Sequence, residues 1–280
     1  MSTLLEPLPL KKLCLHTITT KPWNLKQAID AYSKAGIGGV SVWRDAAQEH
    51  SEGFVHARKM IQDSGLELVS YVRGGFFAGA SRKERQDAIE ENRRVIEEAA
   101  ELGAPLIVLV CGAVPGQELS VSRAQIREGL EAVLPDAEAC GIKLGIEPLH
   151  PMYADSRSAV NTMKQANDLA ESIGDPHLGV TVDVFHLWWD DALEAEILRC
   201  GRSGKLFSYH ICDWKNQPKD MLNDRGLMGE GCIPLKQIRS WVEAAGFTGF
   251  HEVEIFSDDY WAMDQSEFLE KIKQHYLQYA

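Results

Sequence analysis

Four side chains of the 280-residue chain are of the types that hold a divalent cation, and they recur at similar intervals. Glu147 ends the apolar run in GIEPLHP and Asp183 that in TVDVFH; His210 lies in SYHICD and Glu254 in HEVEIFS. The steps between them are 36, 27 and 44 residues, each about one strand-plus-helix unit. Three carboxylates in a confined space repel one another and lose hydration, and a cation compensates both costs directly. Three oxygen ligands and one imidazole suit Mn²⁺, Mg²⁺, Co²⁺ or Zn²⁺ and do not select sharply among them; Mn²⁺ is taken as the first expectation. One such residue alone is more often a solvated loop group or a helix cap, so the register of all four carries the expectation. Glu252 competes with Glu254, because strand residues two apart share a face. Glu254 lies nearer the C-terminal end and is the expected ligand, with Glu252 a polar residue one layer below.

Other residues surround these four. His186 follows Asp183 by three residues and either completes the shell, binds a substrate oxygen, or packs against Trp188 and Trp189. His150 follows Glu147 by three and is an acid/base candidate or an ordinary loop residue. The segment 213–231 is long for a strand-to-helix loop, which suggests a lid or a mobile surface. Within it, Arg225 either brings positive charge over an anionic or polyhydroxy substrate or faces solvent. Trp43 and Trp214 offer apolar walls for a sugar ring, or pack in the core. His16 lies near the end of the first strand, Arg44 and Arg73 follow the second and third, and each could line the same pocket.

These residues need a scaffold that brings strand ends together. Apolar runs predict strands over 13–18, 38–43, 66–72, 105–112, 142–147, 178–184, 206–212 and 249–256. Amphipathic segments predict helices over 24–35, 51–64, 82–102, 122–140, 158–173, 191–200, 233–245 and 265–279, several stopped by glycine. The charge-rich 82–102 reads as a solvated outer helix. Eight strands alternating with eight helices predict a parallel sheet, and equal units favour a closed (β/α)8 barrel of class α/β over an open doubly wound sheet. No linker divides the chain, so residues 1–280 are expected to form one domain. No GxGxxG, phosphate loop or GxSxG elbow is present.

The formal charge of −12 disfavours a nucleic-acid partner, since phosphate backbones are met by clustered Lys and Arg. No apolar stretch approaches the roughly 20 residues of a membrane span. The N-terminus lacks a secretory pattern, and six scattered cysteines read as reduced thiols, so a cytoplasmic location is expected. A homo-oligomer is compatible with the sequence but not indicated by it.

At the motifs GIEPLHP, VDVFH, YHICDW and EVEIFS the chain resembles the sugar phosphate isomerase/epimerase superfamily, the xylose isomerase-like barrels, over nearly its full length. The tail EVEIFSDDYW is similar to that of 2-keto-myo-inositol isomerase-type members. The resemblance implies one divalent metal ion that polarises a carbonyl and its neighbouring hydroxyl, with Glu147 and Glu254 removing and returning the adjacent proton. It implies that His186 binds a substrate oxygen and that His150 or Arg225 assists the migrating or departing group. The substrate class is a small keto-sugar or keto-cyclitol. Isomerisation and epimerisation come first, elimination by a dehydratase or lyase second, and a sugar-binding barrel without catalysis third. Endonuclease IV shares the barrel but uses three metals and additional ligands, for which this sequence offers no convincing set.

Overall fold

The computed structural model describes residues 8–280. The run LIVLV forms strand β4 (Leu106–Val110), buried at every position, as a parallel strand covered on both faces must be. The other strands are β1 (Leu13–His16), β2 (Gly39–Trp43), β3 (Glu67–Gly75), β5 (Lys143–Glu147), β6 (Leu178–Asp183), β7 (Leu206–Ile211) and β8 (His251–Val253). Each pairs in parallel with its sequence neighbour, and β8 pairs back with β1, closing the barrel. The helices are α1 (Leu25–Lys34), α2 (Arg44–Gln48), α3 (Gly53–Ser64), α4 (Arg82–Leu102), α5 (Leu119–Ala139), α6 (Met163–Ile173), α7 (Val184–Leu187), α8 (Leu193–Arg202), α9 (Leu235–Ala244), α10 (Asp258–Trp261) and α11 (Gln265–Tyr279). No described helix is long and apolar enough to cross a membrane.

Local chemistry sets several boundaries. Asn24 and Gln27 form a reciprocal capping box at the start of α1. Ser81 and Asp264 cap α4 and α11 through their side chains. α6 begins later than the sequence pattern suggests, because the Thr162 hydroxyl caps it by accepting from the Gln165 N–H. The preceding residues fold back over the barrel instead: Ser158 bridges to Gly112, and the Asn161 amide donates to the Leu149 and Ser158 carbonyls. The short helices α2, α7 and α10 were not expected from periodicity, which needs more than one turn to register.

Alternation decides what faces inward. The apolar partners of each strand, such as Val40, Val42, Ile107, Leu144, Val180 and Val253, join the core packed with the helices. Beneath the site the barrel interior carries small or polar groups. The Ser41, Ser70 and Ser208 hydroxyls all donate to the Glu252 carboxylate, and a Cβ on Gly145 would meet Thr181 Oγ1 at 2.6 Å.

The 213–231 segment is more ordered than its length implied. Asp213 accepts N–H bonds from Gly229 and Gly231 at 2.9 Å and from Ile233 at 3.0 Å. Asp224 accepts from Lys215 Nζ at 2.6 Å and from the Lys219 N–H at 2.7 Å. Gly231 passes so close to the Trp214 carbonyl that a Cβ would lie 2.0 Å from its oxygen. The two aspartates fix both arms, and the exposed stretch around Lys219–Met221 is tied in addition by Lys219 to Asp259 and by the Tyr153 hydroxyl, which donates to the Met221 carbonyl.

Candidate metal centre

Parallel pairing puts the functional residues side by side. Asp183 pairs with His210, and His210 with Glu252. The Glu254 N–H extends the ladder by donating to the Ile211 carbonyl at 3.3 Å. Glu147, Asp183, His210 and Glu254 are all buried, and each offers a ligand atom within 4.8 Å of the others. His210 Nδ1 lies 3.1 Å from Glu147 Oε1 and 3.9 Å from Glu254 Oε2.

Whether these residues fit a cation can be judged from their own partners. Glu147 Oε1 and both His210 ring nitrogens are buried without an aligned hydrogen bond. Buried polar atoms normally find a partner, and a shared cation would satisfy Glu147 Oε1 and His210 Nδ1 together. The donor set, three carboxylates and one imidazole, is that of a hard or borderline divalent ion. Asp183 also accepts the Phe185 N–H at 2.7 Å, which orients it at the mouth.

Electrostatics divides the carboxylates. Burial raises Asp183 to about 6, against the pull of Arg225. Burial acts the same way on Glu254, but His16 and then Arg225 outweigh it and hold it well below the usual range. For His210 burial opposes the charge, and Glu147, Glu252 and Glu254 together raise it to about 10. Glu254 is thus the most engaged carboxylate: Oε1 lies 3.1 Å from His16 Nδ1 and Oε2 3.0 Å from Arg225 Nη1.

Glu252 sits one layer deeper, between His16 Nε2 at 3.2 Å and His210 Nε2 at 3.7 Å. It faces the far nitrogen of His210, leaving Nδ1 toward the ligand cluster. His16 therefore bridges the two glutamates, and Trp43 Nε1 approaches its Nδ1 at 3.3 Å. The sequence placed His16 at the pocket but gave no sign of this bridge.

Arg225 is buried, neither solvent-facing nor free to roam over a substrate. Its Nη1 donates to Asp183 Oδ2 at 3.1 Å and to Glu254 Oε2 at 3.0 Å, and its Nη2 lies 3.3 Å from His186 Nε2. The guanidinium is held over the rings of Phe185 and Phe256, 4.4 and 5.0 Å away. Burial first, then Arg225, pushes His186 well below its ordinary value, so its imidazole is neutral.

The cluster opens into a narrow pocket of about 30 Å³, walled by Trp43, Arg73, Tyr153, Arg157, Leu222 and Phe256 with His186 and Arg225. His150 and Trp214 stand beside this pocket and do not line it. Trp214 stacks on Phe185 at 4.7 Å and lies 5.0 Å from His150, whose Nδ1 accepts the Met152 N–H. Arg44 is directed elsewhere, to Glu91 and Glu98 of α4. A wider cleft of about 390 Å³ lies on the other side of Trp43. Arg157 was not singled out in the sequence, where ADSRSA reads as an ordinary polar loop.

A profile of the xylose isomerase-like TIM barrel matches residues 29–272. An inosose isomerase of Bacillus velezensis is 26% identical over 275 residues, covering 94% of this chain and 95% of that protein. A crystal structure of a protein from Sinorhizobium meliloti 1021 superposes with a TM-score of 0.91 at 43% identity, covering 96% of this chain and 98% of that one. The IOLI protein, solved with a zinc atom, superposes with a TM-score of 0.82 at 23% identity over 94% of this chain and 96% of its own.

Proposed function

The chain belongs to the xylose isomerase-like TIM-barrel family, and on that premise we propose that it is a divalent-metal-dependent isomerase or epimerase of a keto-cyclitol or keto-sugar. The observation that carries this reading is the buried cluster of three carboxylates and one imidazole with ligand atoms within 4.8 Å. Glu147, Asp183, His210 and Glu254 would hold the ion, which when bound would act as a Lewis acid on a carbonyl oxygen and make the neighbouring C–H acidic.

The protein groups divide the remaining work. Glu147 has no side-chain hydrogen bond on Oε1 and is the freer carboxylate, which suits it to take the proton. Glu254, held by His16 and Arg225, is assigned the second proton transfer. Neutral His186 and the Nη2 of Arg225 bind substrate hydroxyl oxygens. Returning the proton to the opposite face gives an epimer, and returning it to the neighbouring carbon gives an isomer. A pocket of about 30 Å³ holds little more than water, so a cyclitol enters only when the pocket wall around Leu222 moves outward.

Proton exchange tests the assignment. In deuterated buffer with Mn²⁺, NMR should show deuterium entering the carbon next to the carbonyl of a keto-inositol. Glu147→Gln should slow this by on the order of 10²- to 10⁴-fold. Exchange at the wild-type rate would remove Glu147 as the base. Metal content unchanged in the Asp183→Ala, His210→Ala double variant would remove the metal site itself.

A further inference from the structure

Arginines in this acidic chain commonly spend their donors on carboxylates. Arg44 binds Glu91 and Glu98, Arg199 binds Asp168, Glu171 and Glu196, and Arg225 binds Asp183 and Glu254. Two arginines in the wall of the active-site pocket do not. Arg73, from β3, and Arg157, from the loop after β5, are partly buried and both face the pocket that holds Glu147, His186, Arg225 and Glu254. Neither side chain has a hydrogen bond or an ion pair among the described residues. Their neighbours are ring faces. The Arg73 guanidinium lies 5.6 Å from the Trp43 ring and 5.0 Å from Phe76, and that of Arg157 lies 5.7 Å from Tyr153. A ring face accepts no conventional N–H hydrogen bond, so the five N–H donors of each guanidinium stay unspent.

The local charge balance leaves these two groups over. Three carboxylate ligands are matched by a divalent ion together with Arg225. Glu252 has His16 beneath them. Arg73 and Arg157 are then two positive charges with no carboxylate in ion-pair contact, close enough that Arg157, after burial, disfavours the charged form of Arg73, while Asp45, Glu254 and Glu147 favour it without touching it. Placing two like charges together at a pocket wall costs stability unless a ligand supplies the missing anion.

We propose that Arg73 and Arg157 form an oxyanion subsite, and that the substrate is a keto-polyol bearing a carboxylate or phosphate group rather than a neutral sugar. This rests on the reading of the site as one for keto-polyols and adds the charge of the substrate. Bidentate guanidinium contacts suit both anions, and both arginines line the same pocket as Glu147 and Glu254.

Calorimetric titration of the Mn²⁺-loaded protein with matched ligands tests this. One pair is a neutral keto-inositol and 3-dehydroshikimate, a keto-cyclitol carboxylate; the other is fructose and fructose 6-phosphate. At least one anionic member should bind tenfold or more tightly than its neutral partner, and which one does so identifies carboxylate or phosphate. Arg73→Gln and Arg157→Gln should each erase that preference while leaving melting temperature, metal content and neutral-ligand affinity in place. Arg157→Lys, which keeps the charge without the fork, should retain part of it. Equal affinity within both pairs, no binding of either anion, or a preference unchanged in both Gln variants overturns the proposal. Failure of the catalytic reading shows separately, as Glu147-independent proton exchange or an unchanged metal content in the ligand variants.

Discussion

Glu252→Gln isolates the buried charge beneath the proposed metal ligands while keeping volume. In the folded protein Glu252 meets His16 Nε2 at 3.2 Å, three serine hydroxyls and, at 3.7 Å, His210 Nε2. Burial alone would raise its pKa; the His16 hydrogen bond, then the charges of His210 and His16 and the Ser208 hydroxyl, bring it down to about 2. Relative to the ordinary glutamate value of 4.5, that is worth roughly 3 kcal/mol. The sign follows from the direction. A depressed carboxyl contributes its stability above about pH 4.5 and loses it as the pH falls through about 2. At pH 7 the contribution is therefore fully present, and the neutral amide forfeits it. Breaking a buried ion pair by removing one partner costs about 3–5 kcal/mol, which agrees. Urea unfolding of chelator-treated protein at pH 7 should show a lower midpoint, by about 1 M, with the slope preserved. Because Glu252 faces the far nitrogen of His210, metal affinity should also fall by about 10- to 100-fold. A loss under about 1 kcal/mol with unchanged metal affinity would refute the assignment of Glu252 as the charge that orients His16 and His210.

Three further outcomes are expected. Adding Mn²⁺ at about 100 times its dissociation constant to chelator-treated protein should add about 2.7 kcal/mol and raise the melting temperature by on the order of 5 °C; the same increment in the Asp183→Ala, His210→Ala variant would count against the site. His251, between Tyr209 and Tyr276, is lowered to about 4 by burial and then by Arg239 and Lys12. It is neutral in the fold, so stability is unaffected above about pH 6.5 and declines by roughly 3 kcal/mol as the pH falls to 4, where the unfolded chain takes the proton first. His251→Gln should flatten that part of the pH–stability curve, and parallel curves for the two proteins would contradict it. Gly129→Ala in α5 should destabilise by about 1–3 kcal/mol, although Ala gains nearly 1 kcal/mol of helix propensity, because the new Cβ would meet the Phe77 ring at 2.4 Å. Thermal melts decide the sign, and Phe77→Leu should rescue it.

The barrel was legible because its signals are long or repeated. Runs such as LIVLV and the glycine-stopped helices do not depend on distant contacts. Strand ends were legible as a set because the fold places them at one mouth, which is how Glu147, Asp183, His210 and Glu254 could be named together. The rest depends on tertiary context. A serine within an apolar strand is unremarkable in sequence, so nothing marked Ser41, Ser70 and Ser208 as donors to one carboxylate. Arg225 was visible as a charge in a long loop, but its burial against Phe185 and Phe256 is set by the Asp213 and Asp224 anchors, whose backbone partners lie five to twenty residues away. Arg157 was invisible because its significance lies in the partner it lacks.

The pairing of Asp183 with His210, and of His210 with Glu252, has a consequence for how such a site can change. Neighbouring strands lie about 4.8 Å apart, a spacing set by main-chain hydrogen bonds. The distances among Asp183, His210 and Glu252 are therefore inherited from the barrel wall, while Tyr153, Arg157 and Leu222 hang on connections outside it. Insertions or exchanges in those connections can remodel what is admitted, its size and its charge, without re-inventing the centre beneath. The wall acts as a ruler, and the connections above it are interchangeable fittings.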